Sequence, residues 1–342
     1  MRESGSVAEP LLAPSALPRS ALRDGEGGAA GARVLGPREL AVLLGVPEAE
    51  LPARCRALID DADLSYHVLC GTARDEALLR ALRALESELP AAGPARLAAW
   101  EDGWTDVLRR FEASGGDPDE LWPHYLRSER RVVRLDGEYA LPRSPAFEAS
   151  FVRVVQAWFA SAFLAGIEDV YEFGCGPGHN LVAFARMQPA VRYVGLDWTE
   201  ASQRILARAA EALDLQLTGR RFDMLRPDPG LALAPSSAVV TFGSMEQLGT
   251  AFEPFLAFLL AAGPAICVHL EPVHELYDPS RLFDFVAARY AEKRGYLRGY
   301  LTRLRQLEGD GRVEVLHLKK HLGSFHHDGW VTLVWRPRVA AG

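Results

Sequence analysis

Residues 169–187 combine a strand, a tight glycine turn and the start of a helix, and no other segment constrains the fold as much. Asp169–Phe173 is rich in strand-forming residues, and Gly174, Gly176 and Gly178 follow at alternate positions. Glycine tolerates positive φ and leaves room for a ligand against the backbone, while the first amides of a helix bind polar or anionic groups. Glu172 narrows the choice of ligand. A carboxylate at the end of the strand would repel a pyrophosphate but would suit a cation or ribose hydroxyls.

The composition predicts a cytoplasmic protein whose cysteines are in the reduced thiol form. The chain has 342 residues and a net charge of −7, so it has no global positive field to attract nucleic acid. No apolar run approaches the roughly 20 residues that cross a bilayer, and prolines interrupt the start of the chain. We therefore expect neither nucleic acid nor membrane as a partner. The four scattered cysteines are Cys55, Cys70, Cys175 and Cys267.

Three regions are predicted along the chain. Residues 1–32 lack aromatic residues and are expected to form a disordered tail. Residues 33–145 have mostly helical periodicity, with a hairpin near 131–141 around Asp136-Gly137, and are expected to form a helical cap that holds substrate. Residues 146–338 begin with a helix whose aromatic stripe, from Phe147 to Phe163, would dock the cap onto a sheet.

Strand-like and helix-like runs alternate after residue 168, which indicates an α/β fold with a doubly wound, mostly parallel sheet. A long helix is predicted over 280–306, and the short connection between the last two strands favours an antiparallel final strand. The predicted strands are 169–173, 191–197, 216–222, 237–242, 264–270, 312–319 and 329–336.

Acidic residues follow the second and third of these strands. Asp197 lies about 20 residues after Gly176, the offset at which a carboxylate meets a ribose, although it also suits the N-terminus of the next helix. Trp198 would either stack on an adenine or pack on the sheet. Asp223 would accept a hydrogen bond from an adenine amine beside Met224, or serve as a turn residue before Pro227.

Together these segments resemble the successive motifs of class I (Rossmann-like) S-adenosylmethionine-dependent methyltransferases. The resemblance spans about residues 145–336 and rests on Glu172 with Gly174-Cys-Gly-Pro-Gly178, on Asp197, on Phe222-Asp223 and on Ser244-Met-Glu246. It implies a seven-stranded sheet whose last strand is antiparallel, and S-adenosylmethionine as the cofactor.

The resemblance also implies roles for individual residues. The glycine turn with Glu172 would hold the amino-acid end of the cofactor, Asp197 the ribose, Asp223 with Met224 the adenine, and the segment after the fourth strand would lie near the sulfonium. That segment lacks the Asn/Asp-Pro-Pro-Tyr/Phe motif, which argues against nucleic-acid bases and protein amides as substrates. The predicted cofactor-binding residues are Glu172, Gly174, Cys175, Gly176, Gly178, Asp197, Trp198, Asp223, Met224, Ser244 and Met245.

A general base would help if the acceptor must lose a proton. The segment from His269 to Tyr277 follows the fifth strand, and within it His274 is the first candidate. Glu246 and Glu271 come next, and His326 and His327, in the loop between the last two strands, are further candidates unless that loop is a solvated hairpin. His269 and His274 are not four residues apart, so a helix would not align them, and no metal is predicted.

We therefore expect methyl transfer to O or N, and less readily to C, of a small organic acceptor, such as one from specialised metabolism. Three alternatives stay open: methylation of a peptide or protein side chain, an NAD-dependent oxidoreductase, and a non-catalytic scaffold. Glu172 and the Gly-x-Gly-x-Gly spacing argue against NAD. A peptide substrate predicts an open groove and a small acceptor an enclosed pocket, while the oligomeric state, monomer or homodimer, is left open.

Overall fold

A computed structural model describes residues 31–126 and 130–338 of the protein. The tail predicted over 1–32 lies outside these ranges, apart from its last two residues. The α-helices are α1 (Pro37–Leu44), α2 (Ala53–Asp60), α3 (Gly71–Glu86), α4 (Leu97–Ala113), α5 (Phe147–Ala162), α6 (His179–Met187), α7 (Glu200–Leu213), α8 (Glu253–Ala262), α9 (Leu282–Arg294) and α10 (Tyr300–Gly309). Short 3₁₀ helices cover Glu48–Glu50, Pro94–Arg96, Pro118–Leu121, His124–Leu126, Met245–Leu248 and His274–Leu276.

The strands of the described residues join in one sheet. They are β1 (Arg33–Val34), β2 (Ser65–Val68), β3 (Val133–Leu135), β4 (Glu138–Pro142), β5 (Asp169–Phe173), β6 (Arg192–Asp197), β7 (Leu217–Arg221), β8 (Ser237–Phe242), β9 (Ile266–Glu271), β10 (Val313–Gly323) and β11 (Trp330–Pro337). Their order is β1-β2-β4-β3-β10-β11-β9-β8-β5-β6-β7.

The C-terminal seven strands have the predicted doubly wound arrangement. β7, β6, β5, β8 and β9 are parallel, and the last strand, β11, is antiparallel to both β9 and β10. Chain order reverses at β5, which lies between β6 and β8, and open α/β sheets bind ligands at such a switch point. The prediction of a mostly parallel sheet with an antiparallel last strand is confirmed.

The predicted number of strands is wrong, because the N-terminal region continues the sheet. β3 and β4 form the predicted hairpin, with both Asp136 and Gly137 at positive φ, and β3 pairs with the end of β10 at Leu322 and Gly323. These strands and β1 and β2 cover part of an edge that β10 would otherwise expose. Residues 33–145 are therefore not purely helical, while the division of the chain at 145 stays a prediction.

Buried apolar residues cover both faces of the sheet. Along β5, Val170 belongs to one cluster and Phe173 to the other, as the alternation of side chains in a strand requires. The first cluster includes the aromatic stripe of α5, and the second packs α8 and α10. The stripe is thus part of the core, as predicted.

The helix predicted over 280–306 is two helices, and the prediction of one long helix is wrong. α9 ends at Gly295 and α10 begins after Gly299, both at positive φ. Arg294, at the end of α9, is buried. In the described part of the chain no helix is both long and apolar enough to cross a membrane.

Candidate active site

The glycine turn after β5 has a conformation that side chains would disrupt. Gly174, Gly176 and Gly178 all have positive φ, and Gly178 caps the N-terminus of α6. A Cβ on Gly178 would overlap Leu206 of α7, and one on Gly174 would overlap Ser244 after β8. The turn therefore lets α6 pack closely on α7 and brings the β5 and β8 strand ends together.

A pocket of about 620 Å³, part of it continuous with solvent, lies at the carboxyl ends of β5, β6 and β8 and beside the segment after β7. Six of the predicted cofactor residues line it, namely Gly174, Asp197, Trp198, Asp223, Met224 and Ser244. The structure thus brings together residues from four successive strand–loop segments of the chain.

Residues of the N-terminal region cover this pocket, and sequence reasoning did not find them. Trp100 and Trp104 of α4 line it with Tyr125, and the Trp104 ring lies against Gly176. The two indoles stack with centroids 5.3 Å apart. Their spacing of four residues places them on one helix face, which was the only available signal.

A carboxylate fixes α4 over the sheet. Glu101 accepts hydrogen bonds from the backbone amides of Glu200 (2.7 Å) and Ala201 (2.9 Å), at the start of α7. These amides have no partner within the helix, and the helix dipole favours a negative charge there. Helix α4 is therefore anchored beside the pocket.

Asp197 is buried at the end of β6, and the protein uses most of its hydrogen-bonding capacity. Oδ2 accepts from the Gly176 amide (3.0 Å), while Oδ1 accepts from the amide (2.9 Å) and hydroxyl (2.7 Å) of Thr199. A carboxylate has about four acceptor positions. Asp197 also lines the pocket, so the helix-terminal role and a ligand role are compatible.

Asp223 also has partners within the chain. Its Oδ1 accepts from the Leu225 amide at 2.9 Å and its Oδ2 from Arg226 Nε at 3.0 Å. It therefore is the turn residue that the alternative interpretation expected, and it lines the pocket as well. The Met224 side chain reaches the space above Gly174.

Glu172 is oriented by a relay of amides behind it. Gln156 Nε2 donates to Asn180 Oδ1, and Asn180 Nδ2 donates to Glu172 Oε1, each at 2.7 Å. Glu172 is 1% exposed, and its Oε2 has no hydrogen-bond partner in the described structure. Burial raises the pKa of Glu172 to about 8, against the lowering effect of Asn180. An unpaired buried carboxylate oxygen is costly, which fits a site that awaits a donor.

Glu271, at the end of β9, holds the segment after β8. Its Oε1 accepts from the amides of Ser244 (3.0 Å) and Met245 (3.1 Å), and its Oε2 is buried without a partner. Burial raises the pKa of Glu271 to about 7, although these amide donors lower it. The Ser244 hydroxyl donates to the carbonyl of Phe173 at 2.8 Å and so ties β8 to β5.

Glu246 and Tyr125 complete an acidic cluster with Glu172 and Glu271. Burial, followed by the charge of Glu271, raises the pKa of Glu246 to about 8. Tyr125 exposes 40% of its surface, yet burial of its hydroxyl and the charges of Glu246, Glu172 and Glu271 raise its pKa. The charges of all three glutamates thus act on the hydroxyl of Tyr125, a residue that lines the pocket.

The side chains of two predicted cofactor residues lie in the core and do not line the pocket. Cys175 and Met245 are buried in the clusters on opposite faces of the sheet. The Cys175 sulfur packs toward Gly195, and Met245 offers only its amide, to Glu271. Of these two residues, only the backbone is available to the site.

The histidine candidates separate into two groups. His274 contacts Glu292 of α9, with Nε2 3.3 Å from Oε1, and does not line the pocket. The loop between β10 and β11 is folded inward rather than solvated: His327 stacks near Tyr290 and its Nε2 is 3.9 Å from Glu246 Oε2. Burial lowers the pKa of His327 to about 3. Glu246 and Glu271 do not line the pocket either, but Glu271 binds the amide of Ser244, which does, and Glu246 precedes Gln247, which does as well.

The arrangement fits the predicted cofactor. Gly174, Asp197 and Ser244 line the pocket at the ends of β5, β6 and β8, and behind them Glu172 has a buried carboxylate oxygen without a partner. Trp198 and Met224 add apolar surface that an adenine ring could contact. No group of three metal-ligating side chains is placed to hold a metal ion within residues 31–126 and 130–338.

The seven C-terminal strands, with the antiparallel last one, match what the motif resemblance implies. No protein-family model and no curated protein matches the sequence. Among solved structures, the [4+2]-cyclase SpnF matches at 16% identity and a TM-score of 0.45, over 74% of this chain and 100% of that one.

Two methyltransferases of solved structure have about the same sequence identity to this chain. A geranyl diphosphate methyltransferase, solved with GPP and sinefungin, is 15% identical with a TM-score of 0.42, over 69% of this chain and 99% of that one. The magnesium protoporphyrin IX methyltransferase ChlM from Synechocystis PCC 6803, solved with bound SAH, is 15% identical with a TM-score of 0.39, over 55% and 82%. These likenesses concern the fold alone, and one fold hosts many reactions.

Proposed function

We propose that the protein is an S-adenosylmethionine-dependent methyltransferase that transfers a methyl group to O or N of a small organic acceptor. The observation that carries the proposal is the convergence of Gly174, Asp197, Asp223 and Ser244 in one pocket. They come from four separate segments of the chain and have the chemistry that the cofactor requires at each point. When bound, the cofactor supplies an electrophilic methyl group on a sulfonium.

Each part of the cofactor would have its own holder. Glu172, fixed by Asn180, would accept from the amino group, and the remaining acceptor position of Asp197 would take one ribose hydroxyl. Trp198 and Met224 would contact the adenine, with Asp223 beside it. These residues bind and orient, which is a large part of catalysis when the leaving group is good.

The covering residues support a small acceptor over a peptide. Trp100, Trp104 and Tyr125 line the pocket and would take up part of the space that a peptide needs. Excluding water orients the acceptor and protects a reactive group. Residues 33–145 would in this way shape the acceptor site.

Calorimetry with S-adenosylhomocysteine and with NADH tests the cofactor. We expect S-adenosylhomocysteine to bind, and Asp197→Asn to weaken it at least about tenfold, the effect of losing one charge-assisted hydrogen bond. Asp310→Ala, at an exposed helix end, is the control and should bind normally. Thermal melts check that each variant is folded.

Tighter binding of NADH than of S-adenosylhomocysteine would refute the methyltransferase proposal in favour of the oxidoreductase. Binding of S-adenosylhomocysteine without methyl transfer to any hydroxyl or amine acceptor would instead favour a scaffold or a different reaction on this fold.

A further inference from the structure

Building on the proposed function, we propose that the acceptor is an amine, bound as an ammonium between Glu246 and Glu271 beside the transferred methyl group. The cofactor alone does not account for the negative charge at this place. The argument depends on where the carboxylates lie, which of them lack partners, and what charge an acceptor must then bring.

The three glutamates surround the turn that begins at Ser244. Glu271 accepts from the Ser244 and Met245 amides, Glu246 is two residues further along, and the Ser244 hydroxyl reaches the carbonyl next to Glu172. Ser244 lines the cofactor pocket. The cluster therefore lies behind Ser244, next to the pocket and at the ends of three adjacent strands.

Two of these carboxylates have an oxygen without any partner. Glu172 Oε2 and Glu271 Oε2 are both buried, and each residue is only 1% exposed. Ionised carboxylates in such surroundings are costly unless a cation or several donors reach them. The amino group of the cofactor would supply one cation, at Glu172, and it leaves Glu271 without one.

Glu246 is better supplied, and it defines the far side of the acceptor site. Gln247 Nε2 donates to its Oε1 at 3.1 Å, and the charge of Arg294 lowers its pKa against the effect of burial. The Arg294 guanidinium lies 5.2 Å from the centre of the Tyr296 ring, which also packs on His327. The carboxylate that lacks both a cation and a partner for its second oxygen is thus Glu271, which we place between Glu246 and the cofactor.

An ammonium meets this demand better than the other acceptor classes. An acid would face three carboxylates and be repelled, and a neutral alcohol would leave Glu271 without a counter-charge. An ammonium has three donors, enough for Glu271 Oε2, Glu246 and the oxygen of Tyr125.

The reaction then balances without a further reagent. The ammonium gives one proton to a glutamate, and the freed nitrogen lone pair attacks the methyl carbon. The bond between that carbon and sulfur breaks, and its electron pair stays on sulfur. The products are S-adenosylhomocysteine and the methylated ammonium, and the glutamate later returns its proton to water. Burial raises the pKa of Glu271 to about 7, and burial together with the charge of Glu271 raises the pKa of Glu246 to about 8, which suits such a transfer.

Three probes of one shape test the proposal: benzylamine, benzyl alcohol and benzoate, titrated by calorimetry into protein saturated with S-adenosylhomocysteine. We expect benzylamine to bind at least about tenfold more tightly than the alcohol, since a charged partner adds roughly 1.5–3 kcal/mol to a hydrogen bond. Benzoate should not bind. Glu271→Gln, which keeps an oxygen for the two amides, should abolish the preference, and Glu246→Gln should reduce it.

Glu253→Gln, on the exposed side of α8, is the matched control and should keep the preference. Equal binding of amine and alcohol, tighter binding of benzoate, no binding of any probe at millimolar concentration, or a preference that survives Glu271→Gln would overturn the proposal. Failure of S-adenosylhomocysteine itself to bind would instead refute the methyltransferase function, so the two failures are distinguishable.

Discussion

Gly174 and Gly243 form a matched pair for testing how the β5 and β8 strand ends fit together. Both follow a strand, both line the pocket, and both have positive φ, 69° and 60°. They differ in the space for a side chain. A Cβ on Gly174 would overlap the Ser244 Cβ and lie 2.8 Å from its Oγ, whereas one on Gly243 would meet nothing within 4 Å.

Alanine at either position should cost about 1–2 kcal/mol for the left-handed backbone. At Gly174 the overlap should add about 1–3 kcal/mol, as overpacking does elsewhere. Ser244 cannot easily move away, because its hydroxyl is bonded to Phe173 and its amide to Glu271. We therefore expect Gly174→Ala to lower the free energy of unfolding by about 2–5 kcal/mol, and Gly243→Ala by about 1–2 kcal/mol.

Urea unfolding of the two variants measures this difference, and a double variant isolates its cause. Ser244→Gly removes the overlapping atoms, so Gly174→Ala in that background should cost at least about 1 kcal/mol less than in the native chain. If Gly174→Ala and Gly243→Ala cost the same, or if the two changes are additive in the double variant, the steric argument is refuted.

Two further predictions concern the pH dependence of stability and the attachment of α4 to α7. Burial raises the pKa values of Glu172 and Glu246 to about 8 and of Glu271 to about 7. The folded protein without ligand therefore keeps protons that the unfolded chain releases. We expect its free energy of unfolding, measured by urea titration, to fall as the pH rises from about 6.5 to about 8. Glu101→Ala should cost about 1–2 kcal/mol, as loss of a helix cap does, and should speed proteolysis within α4, whereas Glu112→Ala, which removes an exposed ion pair to α7, should cost less than about 1 kcal/mol.

The sign of the pH effect is specific to that window. The buried histidines, with pKa values lowered by burial to about 3 in His179 and His269, affect stability only below about pH 6.5, where the unfolded chain takes up protons. A flat or rising profile above pH 6.5, or a fall that Glu246→Gln leaves unchanged, would contradict the prediction. If Glu101→Ala and Glu112→Ala lower the free energy of unfolding by the same amount, Glu101 is an ordinary surface carboxylate.

Much of the C-terminal sheet could be predicted because buried parallel strands are short apolar runs that end in glycine or acidic residues. The strands at 169–173 and 237–242 have the predicted bounds, β10 is longer than predicted, and β11 has the predicted length but is shifted by one residue. The four N-terminal strands could not be predicted in the same way. β1 and β2 are short, and their pairing depends on β4, which is distant in the chain.

The sequence by itself determined that Glu172, Gly174, Asp197, Asp223 and Ser244 would lie near one another. Each ends or follows a strand, and the carboxyl ends of parallel strands share one edge of a sheet. Which atoms face the pocket was decided only by the tertiary structure. Outside regular elements no periodicity fixes the direction of a side chain, so Met245 points into the core while Ser244 faces the site.

The cover of the pocket was likewise decided by long-range packing. Trp100, Trp104 and Tyr125 precede the glycine turn in the chain, and no local pattern relates them to it. Their position results from α4 docking on α7, where Glu101 meets the helix N-terminus. Such contacts depend on the shapes and charges of two surfaces that exist only after each has folded.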